Sequence, residues 1–175
     1  IHDDIRTRIP AVCEYAVSRY PGDICEIGVK AGGSTVKFGE IARRYSRKVV
    51  AVDPWEVDVS LDCRSTDYGD FLKVMAPYMD ILEIIRRKSQ DLETIAILRS
   101  KVFSFVFIDA LHAGRAIFDD IIIFENMNGI IAVDDISHNW LPDSMNSFLD
   151  GAKSIGKISV HNPAHREGYL INKRA

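Results

Sequence analysis

"VFSFVFID", residues 102–109, is nearly continuous in apolar side chains and stops on an acid. A strand with water on one face alternates apolar and polar residues, whereas a strand covered on both faces does not. The stretch therefore reads as a central strand of a parallel sheet, sandwiched between two layers. Four other runs have the same character: "DICEIG" (23–28), "KVVAVD" (48–53), "ILEII" (81–85) and "GIIAVDD" (129–135). Between them the apolar period changes to that of a helix: Phe38, Ile41, Ala42 and Tyr45 share one face, as do Leu92, Ile95 and Ala96. Upstream, Ile5, Ile9, Val12, Cys13 and Ala16 form a further helical stripe within residues 1–20, closed by Pro21-Gly22. Downstream, Pro142 suits a helix start and Gly156 a helix stop. "KISVHN" and "GYLINK", joined by "PAHRE", then predict a terminal hairpin over 157–173 at the sheet edge. The expected fold class is α/β: a doubly wound, Rossmann-like sheet of seven strands, mostly parallel, with an antiparallel strand in the C-terminal hairpin.

With 175 residues and 47% apolar character, the chain suffices for one substantial core and not for two, so a single domain over 1–175 is expected. The net charge of −3 creates no field that would gather a nucleic-acid backbone or an anionic membrane, which leaves small molecules as the expected partners. An assembly of identical subunits is compatible with this composition and is not specified by it. Cys13, Cys25 and Cys63 are odd in number and lack metal-ligand spacing, as expected of reduced thiols in a cytoplasmic protein. No apolar run approaches the roughly 20 residues of a membrane span, and "IHDDIRTR" is too charged for a secretory leader.

In a doubly wound sheet, ligands bind beyond the carboxyl ends of the strands. Those ends carry Glu26 with "GVKAGGST", Asp53 with "PW", Lys88-Ser89-Gln90, Asp109 with "ALH", and Asp134-Asp135. An acid that leaves a buried strand for a solvated cleft costs little desolvation, so Asp109 marks such a cleft's edge. Gly28, Gly32 and Gly33 allow a tight turn and close approach to a ligand, and Ser34-Thr35 can open the next helix. The loop is not a dinucleotide fingerprint, because the second glycine of GxGxxG falls on Lys30. Asp53 occupies the place from which an acid accepts hydrogen bonds from ribose hydroxyls. Trp55 reads two ways, as a face for a base or pocket cap and as an aromatic buried under a loop. Ser89 also reads two ways, as a ligand contact and as a helix cap beside Asp91. His112 is the side chain near this cleft with an ordinary pKa close to neutrality, hence a candidate general base; His138, with Trp140 as a substrate wall, is its rival.

Together, "EIGVKAGGST", "VVAVDPW", "FVFIDALH" and "GIIAVDDI" resemble the class I S-adenosylmethionine-dependent methyltransferases, in particular the small-molecule O-methyltransferase branch related to macrolide-sugar and antibiotic enzymes. The resemblance spans roughly residues 20–140. It implies that Glu26, Gly28 and the Gly32, Gly33, Ser34 loop surround the amino-acid part of the cofactor, with Asp53 on the ribose. Ser89 and Gln90 would lie near the adenine and Asp109 near the sulfonium. In the metal-dependent members an aspartate after the fourth strand and an acidic pair after the fifth bind a divalent cation, which places Mg²⁺ on Asp109, Asp134 and Asp135 here. Hard carboxylate oxygens suit that ion, which lowers the pKa of a bound hydroxyl.

Two departures stand out. Asn128-Gly129 replaces the paired glycines usual before the fifth strand, and residues 56–75, with Tyr68 and Phe71 before an expected helix, are long for a connection and suited to fold over the cofactor or shape the acceptor pocket. The implied activity is methyl transfer to an oxygen, less readily a nitrogen, of a small molecule. Its alternatives are a non-catalytic S-adenosylmethionine-binding or assembly module and, disfavoured by Lys30, an NAD-dependent oxidoreductase.

Overall fold

The structure, a computed structural model, describes residues 5–55, 67–112, 114–137, 142–161 and 166–172. Helix α1 (Ile5–Arg19) leads into β1 (Asp23–Ile27), α2 (Thr35–Arg44) and β2 (Val49–Val52). Then come α3 (Asp67–Met75), a 3-10 turn (Ala76–Tyr78), β3 (Leu82–Ile85), α4 (Leu92–Arg99) and β4 (Phe103–Ile108). The chain closes with α5 (Ala116–Ile123), β5 (Ile130–Val133), α6 (Pro142–Ser154), β6 (Ile158–His161) and β7 (Gly168–Ile171).

The seven strands form one sheet in the order β3-β2-β1-β4-β5-β7-β6. β1 pairs in parallel with β2 and β4, β2 with β3, and β4 with β5; β7 runs antiparallel to both β5 and β6. The terminal hairpin thus forms as expected, but its second strand lies inside the sheet and β6 takes the edge. Every residue of β1 after Asp23, and all of β2, β4 and β5, is buried, which is why these runs lack alternation. β3, at the other edge, is only partly covered.

Alternate strand residues feed two cores. Ile24, Val49, Phe105, Phe107 and Ala132 pack under α1 and α2, against Ile9, Cys13, Phe38 and Ile41. Ile27, Val52, Val106, Ile108 and Val133 pack on the opposite face against Leu98, Ile117, Ile121 and Phe148 from α4, α5 and α6. Tyr68 and Phe71 stand inside α3 rather than ahead of it, and with Met75 they pack around Trp55 and Val29. Gly156, at φ +67°, ends α6 in the left-handed conformation that favours glycine. Among the described residues no helix is long and apolar enough to cross a membrane.

Candidate functional site

Strand register decides where the predicted residues meet. Ile85, Val52, Ile27, Ile108 and Val133 stand side by side across five strands. The next residues therefore leave the sheet together: Asp53 N–H bonds to Ile85 O (3.2 Å), Gly28 N–H to Val52 O (3.0 Å), Asp109 N–H to Ile27 O (2.8 Å) and Asp134 N–H to Ile108 O (3.0 Å). Glu26, Asp53, Asp109, Asp134 and Asp135 thus share one rim. The backbone is strained there. Among the described residues, three of the four non-glycine positions with positive φ sit on this rim: Lys30 (52°), Trp55 (45°) and Asp135 (50°). Such conformations persist only where surrounding contacts hold them, and they concentrate at ligand sites.

The loop after β1 is fixed by Asp53. Its Oδ2 accepts the N–H groups of Val29 and Lys30, each at 2.9 Å, and its Oδ1 accepts that of Trp55 at 2.7 Å. A carboxylate offers about four acceptor positions, so one remains on Oδ1. Trp55 is 5% exposed; its Nε1 donates to Lys30 O (2.6 Å), and its ring lies 4.9 Å from Phe71 and 5.0 Å from Tyr68. The indole is thus committed beneath the loop. Gly28 is required by its neighbour, since a Cβ there would fall 2.2 Å from Asp109 O. At Gly33 a Cβ would meet nothing within 4 Å, so the loop is open on that side.

Glu26 is completely buried. Burial pushes its carboxyl up to about 7, opposed by the nearby hydroxyls of Ser34 and Thr35 and reinforced by Asp53. Ser34 is the residue before α2, yet its hydroxyl donates to Glu26 Oε1 and makes no helix cap. Glu26 Oε2 has no hydrogen-bond partner. A buried acceptor without a partner is costly unless a ligand supplies a donor.

On the other half of the rim, burial raises the Asp109 carboxyl to about 8, reinforced by Asp134, Glu26 and Asp135 and opposed by Lys30. Asp134 rises to about 6, again chiefly by burial, while its Oδ1 accepts the Asp135 N–H (2.8 Å). Asp135 Oδ1 is paired with Arg166 Nη1 at 3.2 Å. The expected Mg²⁺ triad is therefore not assembled. Asp135 is turned to an arginine, and among the described residues no three His, Cys, Asp or Glu side chains are placed to hold an ion. His112 is half-buried in the loop after β4, its carbonyl accepting from Ser144 Oγ of α6 at 3.0 Å. His138 and Trp140 lie outside the described residues.

Ser89 and Gln90 follow β3. Both donate to Asp120 Oδ1, each at 2.6 Å, so Ser89 is not the cap of α4; Asp91 occupies that position. Asp120 escaped sequence reading, although the helical period of Ile117, Asp120, Ile121 and Phe124 puts it on the buried face of α5, and a buried acid demands a partner. Arg166 and Glu167 were also missed. Glu167 is 2% exposed and paired with Arg8 of α1 at 2.9 Å. A shallow depression lined by Arg43, Arg47, Lys48 and Asp80 lies at the opposite ends of the strands, where Arg43 is already paired with Asp80.

A family model described as a methyltransferase domain matches residues 25–136. Similar solved structures include the calicheamicin methyltransferase CalS11, at TM-score 0.76 and 14% identity over 95% of this chain and 77% of that one. The SAH-bound methyltransferase PaMTH1 of Podospora anserina gives 0.62 and 16% over 94% and 77%. An O-methyltransferase from Bacillus cereus in complex with SAH gives 0.64 and 14% over 97% and 80%. At these identities the likeness shows the fold. No curated protein sequence matches the chain.

Proposed function

This chain belongs to the methyltransferase-domain family, and from that premise we propose that it transfers the methyl group of S-adenosylmethionine to an oxygen of a small molecule. One observation carries the reading. The buried Glu26 presents an unpartnered Oε2 at the head of a loop that is open at Gly33. An acceptor in that position calls for a cationic donor, and the α-ammonium of the cofactor is one. The remaining lone-pair position of Asp53 suits a ribose hydroxyl. The similar Bacillus cereus O-methyltransferase in complex with SAH and the SAH-bound methyltransferase PaMTH1 support this donor, and the former supports an oxygen acceptor.

When bound, S-adenosylmethionine supplies a sulfonium methyl, an electrophile displaced in line as its carbon–sulfur bond breaks and the new carbon–oxygen bond forms. The chain's part is to hold the reactants and to remove one proton. Glu26 and Ser34 anchor the amino-acid end, and Asp53 keeps the loop in its binding conformation through three backbone N–H bonds. His112 takes the acceptor's hydroxyl proton in the cleft that Asp109 borders. Such alignment of reacting atoms is a main catalytic effect in methyl transfer.

Calorimetric titration with S-adenosylhomocysteine tests the reading. Binding is expected for the wild type, and Glu26→Gln should weaken it by about 1.5–3 kcal/mol, the range for hydrogen bonds to charged groups. A parallel titration with NAD should give no heat. Binding of NAD in place of S-adenosylhomocysteine would reverse the assignment.

A further inference from the structure

The sheet's two outer strands are guarded unequally. β3 carries Glu83, paired with Lys101 Nζ at 2.8 Å, and its Leu82 and Ile84 pack against the cluster of Trp55, Phe71 and Met75. β6, the last strand in the sheet order, is bare by comparison. Its residues, Ile158, Ser159, Val160 and His161, include no acid, lysine, arginine or proline, the residues that commonly keep an open edge from pairing. The lysine just before it is withdrawn: Lys157 is 7% exposed, and its ammonium donates to Met127 O (2.9 Å), Gly129 O (3.3 Å) and Asn172 Oδ1. One face of the strand is apolar as well. Register sets Ile158 beside Ile171 and Val160 beside Tyr169, which are only half-buried at the margin of the α1 core. Leu170, on the other face of β7, is sealed in with Phe148 and Ala152 of α6, whereas Ile158 and Val160 remain 43% and 47% exposed.

From this edge we infer that β6 is an interface with a second copy of this chain, the two β6 strands pairing antiparallel about a two-fold axis so that two sheets become one. An open strand edge presents a row of N–H and C=O groups, and another strand meets them in kind. The sequence is its own complement in one register. Residues directly opposite in an antiparallel pair share a face, so an axis through Ser159 sets Ile158 of each copy against the partner's Val160. The exposed β-branched side chains of both copies then cover one another. Charge favours a copy over a foreign partner: the strand brings no formal charge to the seam, so like meets like without repulsion, and a charged partner would find nothing to pair with. Such a contact closes after two copies. Because the strand spans only Ile158–His161, the contact falls at the low end of interface sizes, below about 1,200 Å² in total, and the dimer forms reversibly.

Sedimentation velocity of the chain from about 1 µM to about 1 mM tests this. The wild type should pass from one chain mass to two, with a dissociation constant of roughly 10–100 µM, as suits a small contact. Val160→Lys and Ile158→Lys, each at an exposed position, should weaken the dimer by about 10-fold or more, because a lysine on the seam guards the edge. Leu92→Lys, at an 86% exposed residue opening α4, should leave it unchanged. In the wild type, amide hydrogen exchange over 158–161 should slow at the high concentrations, while exchange over β3, the other edge, stays as it was. A single chain mass throughout overturns the inference, whether the face then meets another protein or water. So does an assembly larger than two, a dimer that both lysine variants retain, or a dimer whose β6 amides exchange as in the monomer. Should neither lysine variant fold, the exchange comparison decides. The methyl-donor reading stands or falls separately, since titration with S-adenosylhomocysteine needs no dimer.

Discussion

The two halves of the strand-end rim treat their acids in opposite ways. After β1 and β2, the acids are occupied by the chain itself: Asp53 accepts three backbone N–H groups, and Glu26 holds Ser34. After β4 and β5, Asp109, Asp134 and Asp135 crowd one another, and burial with mutual repulsion lifts the first to about 8 and the second to about 6. The first half is held by its own hydrogen bonds with one strained group, the buried Glu26 raised to about 7, whereas the second carries tension among three acids relieved by Lys30 and Arg166. A pre-organised surface suits a ligand that is always the same, and a tense one suits proton movement and an incoming reactant.

The comparison is broken most severely at the seam. Gly28→Ala puts a Cβ 2.2 Å from Asp109 O at φ +85°, joining steric clash to backbone strain. The expected cost is about 3–5 kcal/mol, read as a fall in Tm of roughly 10 °C and a loss of S-adenosylhomocysteine binding. A melting curve within 2 °C of wild type would show that the halves are not in contact. A smaller effect should come from the tense half alone. An acid raised by the fold keeps its proton in the native state where the unfolded chain has lost it, so stability falls as pH climbs from about 4 towards 8. Asp109→Asn removes that liability. It should melt above wild type at pH 8, by about 1–2 kcal/mol, and converge with it near pH 4; parallel Tm profiles would refute the raised carboxyl. Least is expected of Arg166→Ala, since its guanidinium is 59% exposed and such pairs contribute at most about 1 kcal/mol. A loss above 2 kcal/mol in urea unfolding would mean that Arg166 secures more than Asp135.

Sequence periodicity made the layers legible because burial on both faces leaves an unmistakable signature in β1, β2, β4 and β5. It also located the acids one residue beyond β2, β4 and β5. Strand order was less accessible: that β7 inserts between β5 and β6 depends on pairing across the sheet, to which a single chain's pattern is blind. Partners distant in sequence were hidden for the same reason. Nothing near Ser89 announces Asp120, 31 residues on, and nothing near Asp135 announces Arg166. Trp55 and Ser89 each allowed two readings, and tertiary neighbours decided what they touch: Phe71 and Tyr68 for one, Asp120 for the other. Adjacency in "VDDI" says nothing of where each carboxylate turns: Asp135 adopts a left-handed backbone and pairs with Arg166.

Trp55 is one of two tryptophans in the chain, and its indole hydrogen is held by Lys30 of the glycine loop while its rings lie on Phe71 and Tyr68. Any displacement of that loop changes the polarity around the chromophore. The protein thus carries its own fluorophore at the mouth of its cleft, and its ultraviolet emission can report occupancy without a label.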